Sequence, residues 1–314
     1  MFDPATFIND AIAEVKHMVK GKTIIAVSGG VDSSVAAKIG SMALGTNLAM
    51  VYVDTGLMRH NESEFVRKLY EKMGAKFVLV DAQNDFIAAL KDVIDPEQKR
   101  KIIGELFIRI FERVARDEKA EYLMQGTIAP DWIESGGELR DTIKSHHNVG
   151  GLPKDMHLTL VEPLRNIYKD EIRAVAKYLN LEVAERQPFP GPGLAVRIMD
   201  AVSQEKIDIV RKACVIVEDE IEKASKNGTI ELPWQYFAVL LPVRSVGVRG
   251  DIRAYGYTVA IRSVDSVDAM TAAYSKLPHD LLERMATRIT NEIKAVNHVV
   301  YDISNKPPAT IEWE

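Results

Sequence analysis

The twelve residues from Thr23 to Ser34, read as T-I-I-A-V-S-G-G-V-D-S-S, restrict the architecture more than any other stretch. Thr23-Ile24-Ile25-Ala26-Val27 is short, β-branched and bounded by turn residues, the signature of a buried parallel strand. Ser28-Gly29-Gly30 ends it, and Ser33 and Ser34 open an apolar-periodic segment, Val35-Ala36-Ala37-Lys38-Ile39, that reads as a helix. A strand, a glycine turn and a helix in that order can cradle an anion. Residues without Cβ let several N–H groups converge, and the helix start adds unpaired donors and a positive dipole end. The same pattern fits a plain βα turn with a serine cap. No Lys follows the glycines, which excludes the kinase-type P-loop, and the Gly-x-Gly-x-x-Gly fingerprint is absent. Asp32 beside an anion site makes sense if Mg²⁺ stands between the carboxylate and phosphate oxygens.

Four more short apolar runs follow: Leu48 to Asp54, Phe77 to Val80, Tyr122 to Gly126 and Leu158 to Val161, with helical patterns between them. The alternation predicts an α/β fold, a parallel twisted sheet with helices on both faces and right-handed crossovers. Ligands in such sheets sit beyond the C-terminal strand ends, where Ser28-Gly29-Gly30, Asp54-Thr55-Gly56 and Gly126-Thr127 fall. A helix is expected over Pro96 to Glu118, with the run Lys99-Arg100-Lys101 as a solvated face. Residues 134–157, polar and bracketed by glycines, read as a lid.

Gln187-Pro188-Phe189-Pro190-Gly191-Pro192-Gly193 can be neither helix nor strand interior and marks a connector. The boundary is placed there, giving domains 1–187 and 188–314. In the second, a helix from Ser203 to Asn227 precedes strands near Tyr236 to Leu241 and Tyr255 to Val264. Helices are expected over Val267 to Ser275 and His279 to Ala295, then strands over Val299 to Ile303 and Thr310 to Trp313. This is a smaller α+β domain, and Val296, Val299 and Val300 suit a two-fold interface between protomers, so a homodimer is expected.

Composition removes several functional classes. The formal net charge of −5 gives no global attraction to nucleic acid or anionic membrane. No apolar run approaches a membrane span and Met1-Phe2-Asp3-Pro4 lacks a signal-peptide pattern, so a cytoplasmic protein is expected. Cys214 is the single cysteine; it lies in an amphipathic helix and excludes Cys-pair chemistry.

Taken together, the motif strings resemble one family. Ser28-Gly29-Gly30-Val31-Asp32-Ser33-Ser34 is similar to the pyrophosphate loop of N-type ATP pyrophosphatases. Tyr52 to Leu57, Gln125 to Ser135, Ile143 to Pro153, Glu162-Pro163-Leu164, Pro188 to Arg197 and Tyr301 to Glu314 resemble the synthetase half of GMP synthases. The amidotransferase half is not represented, so the resemblance is to the free-standing ATP pyrophosphatase subunit of a two-chain enzyme. It implies an adenine nucleotide α-hydrolase-like fold followed by a dimerisation domain. It also implies a ligase of GMP and purine biosynthesis. That enzyme uses ATP and Mg²⁺ to adenylate XMP, and ammonia from a separate glutamine amidotransferase subunit then displaces AMP.

By the same resemblance Ser28, Gly29, Gly30, Val31, Asp32, Ser33 and Ser34 hold ATP phosphates, with Asp32 near the metal. Val27, Val53 and Leu57 line the adenine pocket or are simply core. Asp131 and Glu134 serve the metal or the amination step, and Lys144, His146 and His147 act from the lid. Arg100, Lys306, Ile311 and Glu312, with Asp251 as a weaker candidate, bind XMP.

Overall fold

The computed structural model describes residues 2–129, 158–183, 186–267 and 269–314. Two compact units result. The first comprises Met1–Gly56, Asn61–Gln83 and Ile103–Arg186; the second comprises Leu57–His60, Asn84–Ile102 and Gln187–Glu314.

In the first unit, five parallel strands stand in the order β3-β2-β1-β4-β5: β1 Thr23–Ala26, β2 Leu48–Asp54, β3 Lys76–Asp81, β4 Tyr122–Met124 and β5 Thr159–Val161. All four pairings are parallel, with Thr23 opposite both Leu48 and Tyr122. The chain runs outward from β1 through β2 to β3 and then returns to β4 on the other side of β1. The reversal of strand order therefore falls between β1 and β4, where open α/β sheets form their crevice.

The helices α1 Pro4–Met18, α2 Val31–Leu44, α3 Glu62–Glu71 and α6 Lys169–Tyr178 belong to this unit. Between them in sequence lie α4 Gln83–Ala89 and α5 Pro96–Asp117. Ile8, Ala11 and Val15 of α1, Val35 and Ile39 of α2, Val66 and Tyr70 of α3, and Ile172 and Val175 of α6 form one core with Ile25, Met50, Tyr52 and Met124. The alternate strand residues Ile24, Val51, Val53 and Leu123 are buried as well, which is why the strands are apolar on both faces. Helix α1 starts where Asp3 accepts from the Thr6 N–H, with Pro4 at a position that lacks an intrahelical acceptor. Helix α2 begins at Val31, earlier than the serines suggested, because Gly30 serves as its N-cap.

The second unit holds α7 Gln204–Lys226, β6 Gln235–Arg249, β7 Ile252–Asp265, β8 Ala273–Tyr274, α8 His279–Glu292 and β9 Val296–Tyr301. Strands β6 and β7 are antiparallel and run on through a hairpin at Gly250-Asp251, well past the segments expected from sequence; β9 joins β7 in parallel. The β7–β9 register shifts between Tyr257 and Thr258, leaving Asn297 as the extra residue. Its amide donates to the carbonyls of Ser245 (3.1 Å) and Ala254 (2.9 Å) and lies against Gly247 and Gly256.

Two expectations fail here. Residues 267–275 hold no helix among those described; Ala273 and Tyr274 pair instead with Asp265 and Val264, and Ala272 exchanges backbone bonds with Lys306. Tertiary pairing overrides the helical pattern. Thr310 to Trp313 is not a strand, because the Thr310 carbonyl is taken by the Arg262 guanidinium at 3.1 Å.

Candidate active site

At the end of β1 the chain turns through Gly29 at φ +74°, a conformation that L side chains rarely adopt. A Cβ there would also lie 2.9 Å from Val66 Cγ2. Gly30 caps α2 without a side-chain bond, so the first-turn N–H groups of Val31, Asp32 and Ser33 have no intrahelical acceptor. Ser28 and Ser33 close the turn with weak bonds: their hydroxyls lie 3.2 Å apart, Ser33 Oγ donates to the Gly30 carbonyl at 3.2 Å, and the Gly30 N–H reaches Ser28 Oγ at 3.4 Å. Such long bonds are readily exchanged for an anion's oxygens. The loop after β4 presses directly on this start. A Cβ on Gly126 would meet the Asp32 carbonyl carbon at 2.9 Å and the Ser33 nitrogen at 3.0 Å, so only glycine permits the approach.

Asp32 has one carboxylate oxygen 3.0 Å from Lys169 Nζ, while its Oδ1 is fully buried and has no hydrogen-bond partner among the described residues. A buried, orphaned carboxylate oxygen fits a cation. Among the described residues no group of three or more His, Cys, Asp or Glu forms a metal cage. Mg²⁺ needs none, since it is commonly held by one or two carboxylates together with substrate phosphates. Behind the loop, Arg186 forms a two-pronged pair with Glu62 (3.0 and 2.7 Å), stacks on Phe65 and approaches the Gly29 carbonyl at 3.5 Å. Asp54, at the end of β2, accepts from the Gly56 N–H, Ser63 Oγ and Gln83 Nε2.

In the second unit, residues 302–314 have little regular structure but are held by three fully buried cations. Arg262 donates to the carbonyls of Ser304 (2.6 Å) and Thr310 and pairs with Asp302 at 3.2 Å. Arg197 binds both oxygens of Glu312 at 3.0 and 2.8 Å, with its guanidinium between the rings of Phe189 and Phe237. Burial opposes the charge on Arg197, but Glu312 outweighs it and holds the guanidinium protonated. Lys99 donates to the carbonyls of Ala195 and Ile198 and to Glu314 at 2.5 Å. Burial pushes Lys99 down and Glu314 up, each against its charged form, while their mutual bond works the other way.

Two family models match this chain: one described as "Thiamine biosynthesis protein (ThiI)" over residues 18–188, and one as "GMP synthase C terminal domain" over residues 219–313. A protein from Thermoplasma acidophilum, named as one subunit of a glutamine-hydrolyzing GMP synthase, is 58% identical over 99% of both chains. The chain belongs to this GMP synthase subunit family. A member from Methanocaldococcus jannaschii, which carries the same name, is 55% identical over 100% of both chains. Among solved structures, an NMN synthetase from Francisella tularensis is similar at 16% identity and a TM-score of 0.47, covering 66% of this chain and 85% of that one.

Within this GMP synthase framework the sequence-derived candidates separate. Ser28, Gly29, Gly30, Val31, Asp32 and Ser33 come together at the loop. Ser34 does not face it: its hydroxyl is buried 2.8 Å from Tyr70 OH and its N–H bonds to the Gly30 carbonyl. Val27, Val53 and Leu57 are all buried. Arg100 pairs with Glu97, Lys306 Nζ donates to the Ala269 carbonyl, Ile311 is buried, and Asp251 sits exposed at the hairpin tip. Lys99, read as part of a solvated face, is wholly buried, because three acceptors converge on its ammonium. Asp131, Glu134, Lys144, His146, His147 and the lid lie outside the described residues. Cys214 is core; its thiol lies 3.6 Å from the Ala238 carbonyl, and burial raises its pKa.

Sequence reasoning missed Glu62, Arg186, Lys169 and the Arg197–Glu312 pair. Lys169 had a usable signal, since it begins the helix after β5 at the edge where ligands gather.

Proposed function

We propose that this chain is the ATP pyrophosphatase subunit that converts XMP to GMP. The purine O2 attacks the α-phosphorus of ATP, its bond to pyrophosphate breaks, and adenylyl-XMP forms. Ammonia then adds at C2, AMP leaves with the former O2, and the surplus proton passes to solvent. Oxygen on a purine carbon is a poor leaving group, and adenylation makes it a good one. The protein's contribution is positioning and charge stabilisation rather than a nucleophile.

Full-length kinship with the GMP synthase proteins of Thermoplasma and Methanocaldococcus carries this reading. The loop supports it: the uncapped start of α2, with Ser28, Gly29, Gly30 and Ser33, would receive the β- and γ-phosphates. Asp32 would hold Mg²⁺, which when bound neutralises charge on the leaving pyrophosphate. Val27, Val53 and Leu57 would line the adenine side. Arg100, Lys306, Ile311 and Glu312 would receive XMP, with Arg197 fixing the Glu312 carboxylate so that its remaining lone pairs face the purine N–H groups. Asp251 remains a secondary XMP candidate. Lys144, His146 and His147 would act from the lid, and Asp131 and Glu134 at the metal or the amination step.

The relatives are named as one subunit of their enzyme, which supports a separate amidotransferase chain as the ammonia source. The exposed Val300 of β9 supports a homodimer through the second unit. No helix among the described residues is long and apolar enough to cross a membrane, which accords with a cytoplasmic enzyme. The test is a reaction of ATP, Mg²⁺, XMP and an ammonium salt, followed for AMP, pyrophosphate and GMP. Stoichiometric formation of all three is expected; pyrophosphate release that ignores XMP overturns the reading.

A further inference from the structure

Lys169 is the first residue of α6, and its ammonium crosses to the start of α2 to sit 3.0 Å from Asp32 Oδ2. The pair is unlike the buried ones. The Lys169 side chain is 64% exposed and that of Asp32 29%, so as an ion pair it contributes little to the stability of the fold. Its position is the informative part. A carboxylate beside uncapped helix N–H groups repels the anion those groups attract, unless a positive charge neutralises it. Asp32 offers two oxygens in different settings: Oδ2 faces Lys169, and Oδ1 is buried without a partner among the described residues.

We infer that Lys169 is a phosphate-binding residue, which leaves Asp32 for the oxygens of pyrophosphate when Mg²⁺ engages that carboxylate. This deepens the functional reading above and rests on it. One long, mobile cation next to one orphaned carboxylate gives the site a charge that can be handed over at little cost. A lysine suits the exchange because its ammonium is a compact point charge on a flexible stem.

The test is calorimetric titration of the full chain with pyrophosphate, with and without Mg²⁺, for the wild type, Lys169→Met and Lys169→Arg. Lys169→Met is expected to weaken Mg-pyrophosphate binding at least about tenfold while leaving the urea midpoint unchanged. Lys169→Arg, which keeps the charge, is expected to stay within about threefold of wild type. Wild-type affinity in Lys169→Met overturns the inference, as does a Lys169→Arg as weak as Lys169→Met, or a wild type that binds no pyrophosphate. The XMP-dependence assay on the same wild-type preparation separates the two failures. XMP-independent turnover sinks the GMP synthase reading, whereas XMP-dependent turnover with an unaffected Lys169→Met sinks only the role of Lys169.

Discussion

The turn at residues 28–30, which leads into α2, and the tail at residues 302–314 both lack regular structure over much of their length, yet they are built by opposite means. The loop takes its shape from backbone: a left-handed glycine, a glycine cap, and two serines joined by bonds of 3.2–3.4 Å. Its strong contact, Arg186 with Glu62, stands behind it. The tail takes its shape from side chains, three buried cations each seizing a carboxylate or carbonyls. Under the proposed function, weak local bonds suit a segment that would trade its partners for phosphate oxygens. Buried ion pairs would likewise suit a segment that presents a group to XMP in a fixed pose, since breaking such a pair leaves an uncompensated charge.

The largest effect should come from the tail. Arg197→Met strands Glu312 and should cost about 3–5 kcal/mol, read as a lower urea midpoint, with a raised KM for XMP. Pyrophosphate binding should be untouched; an equal loss there would break the contrast between the two regions. Gly126→Ala should do the reverse. Its Cβ would overlap the Asp32 and Ser33 backbone, at a cost of about 1–3 kcal/mol, so pyrophosphate affinity should fall roughly tenfold in a titration while XMP binding persists.

The smallest effect concerns the ion-pair network joining α7 and α8, whose members apart from the buried Glu220 are partly exposed, a control for burial. Lys223 and Arg288 bonds lower the Asp219 pKa. Burial opposes ionisation of Glu220, but bonds from Arg288 and Arg284 win and lower it too. With folded values depressed, the contribution is complete above the ordinary values of 3.8 and 4.5 and is lost as pH falls through the lower folded ones. Urea midpoints taken from pH 6 down to about pH 3 should therefore decline, and Arg288→Met should flatten the decline. A drop as large as that of Arg197→Met would show that charge alone, not burial, distinguishes the tail.

The same contrast governs what could be read from the sequence. The loop was legible because every determinant lies within a dozen consecutive residues, and the parallel sheet because each strand is an uninterrupted apolar run. The tail was not, since Arg197 and Glu312 stand 115 positions apart and Lys99 and Glu314 stand 215 apart. Lys99 illustrates the point: its neighbours Arg100 and Lys101 make it look solvated, and only the fold supplies its acceptors. The outer half of the β6–β7 ribbon escaped notice because Pro242, Arg244 and Gly247 break the apolar alternation. There the shape comes from strand pairing and from one side chain laid across it.

That side chain, Asn297, carries a consequence for how such a sequence can diverge. Its amide lies where any Cβ on Gly247 or Gly256 would come within 2.6 or 2.5 Å of it, and it bonds to a carbonyl on each of the two paired strands. Neither glycine accepts a Cβ unless the Asn297 amide moves. A lineage that loses the asparagine gains room at both glycines but forfeits the rivet, so these sites should exchange as a linked set or stay as they are.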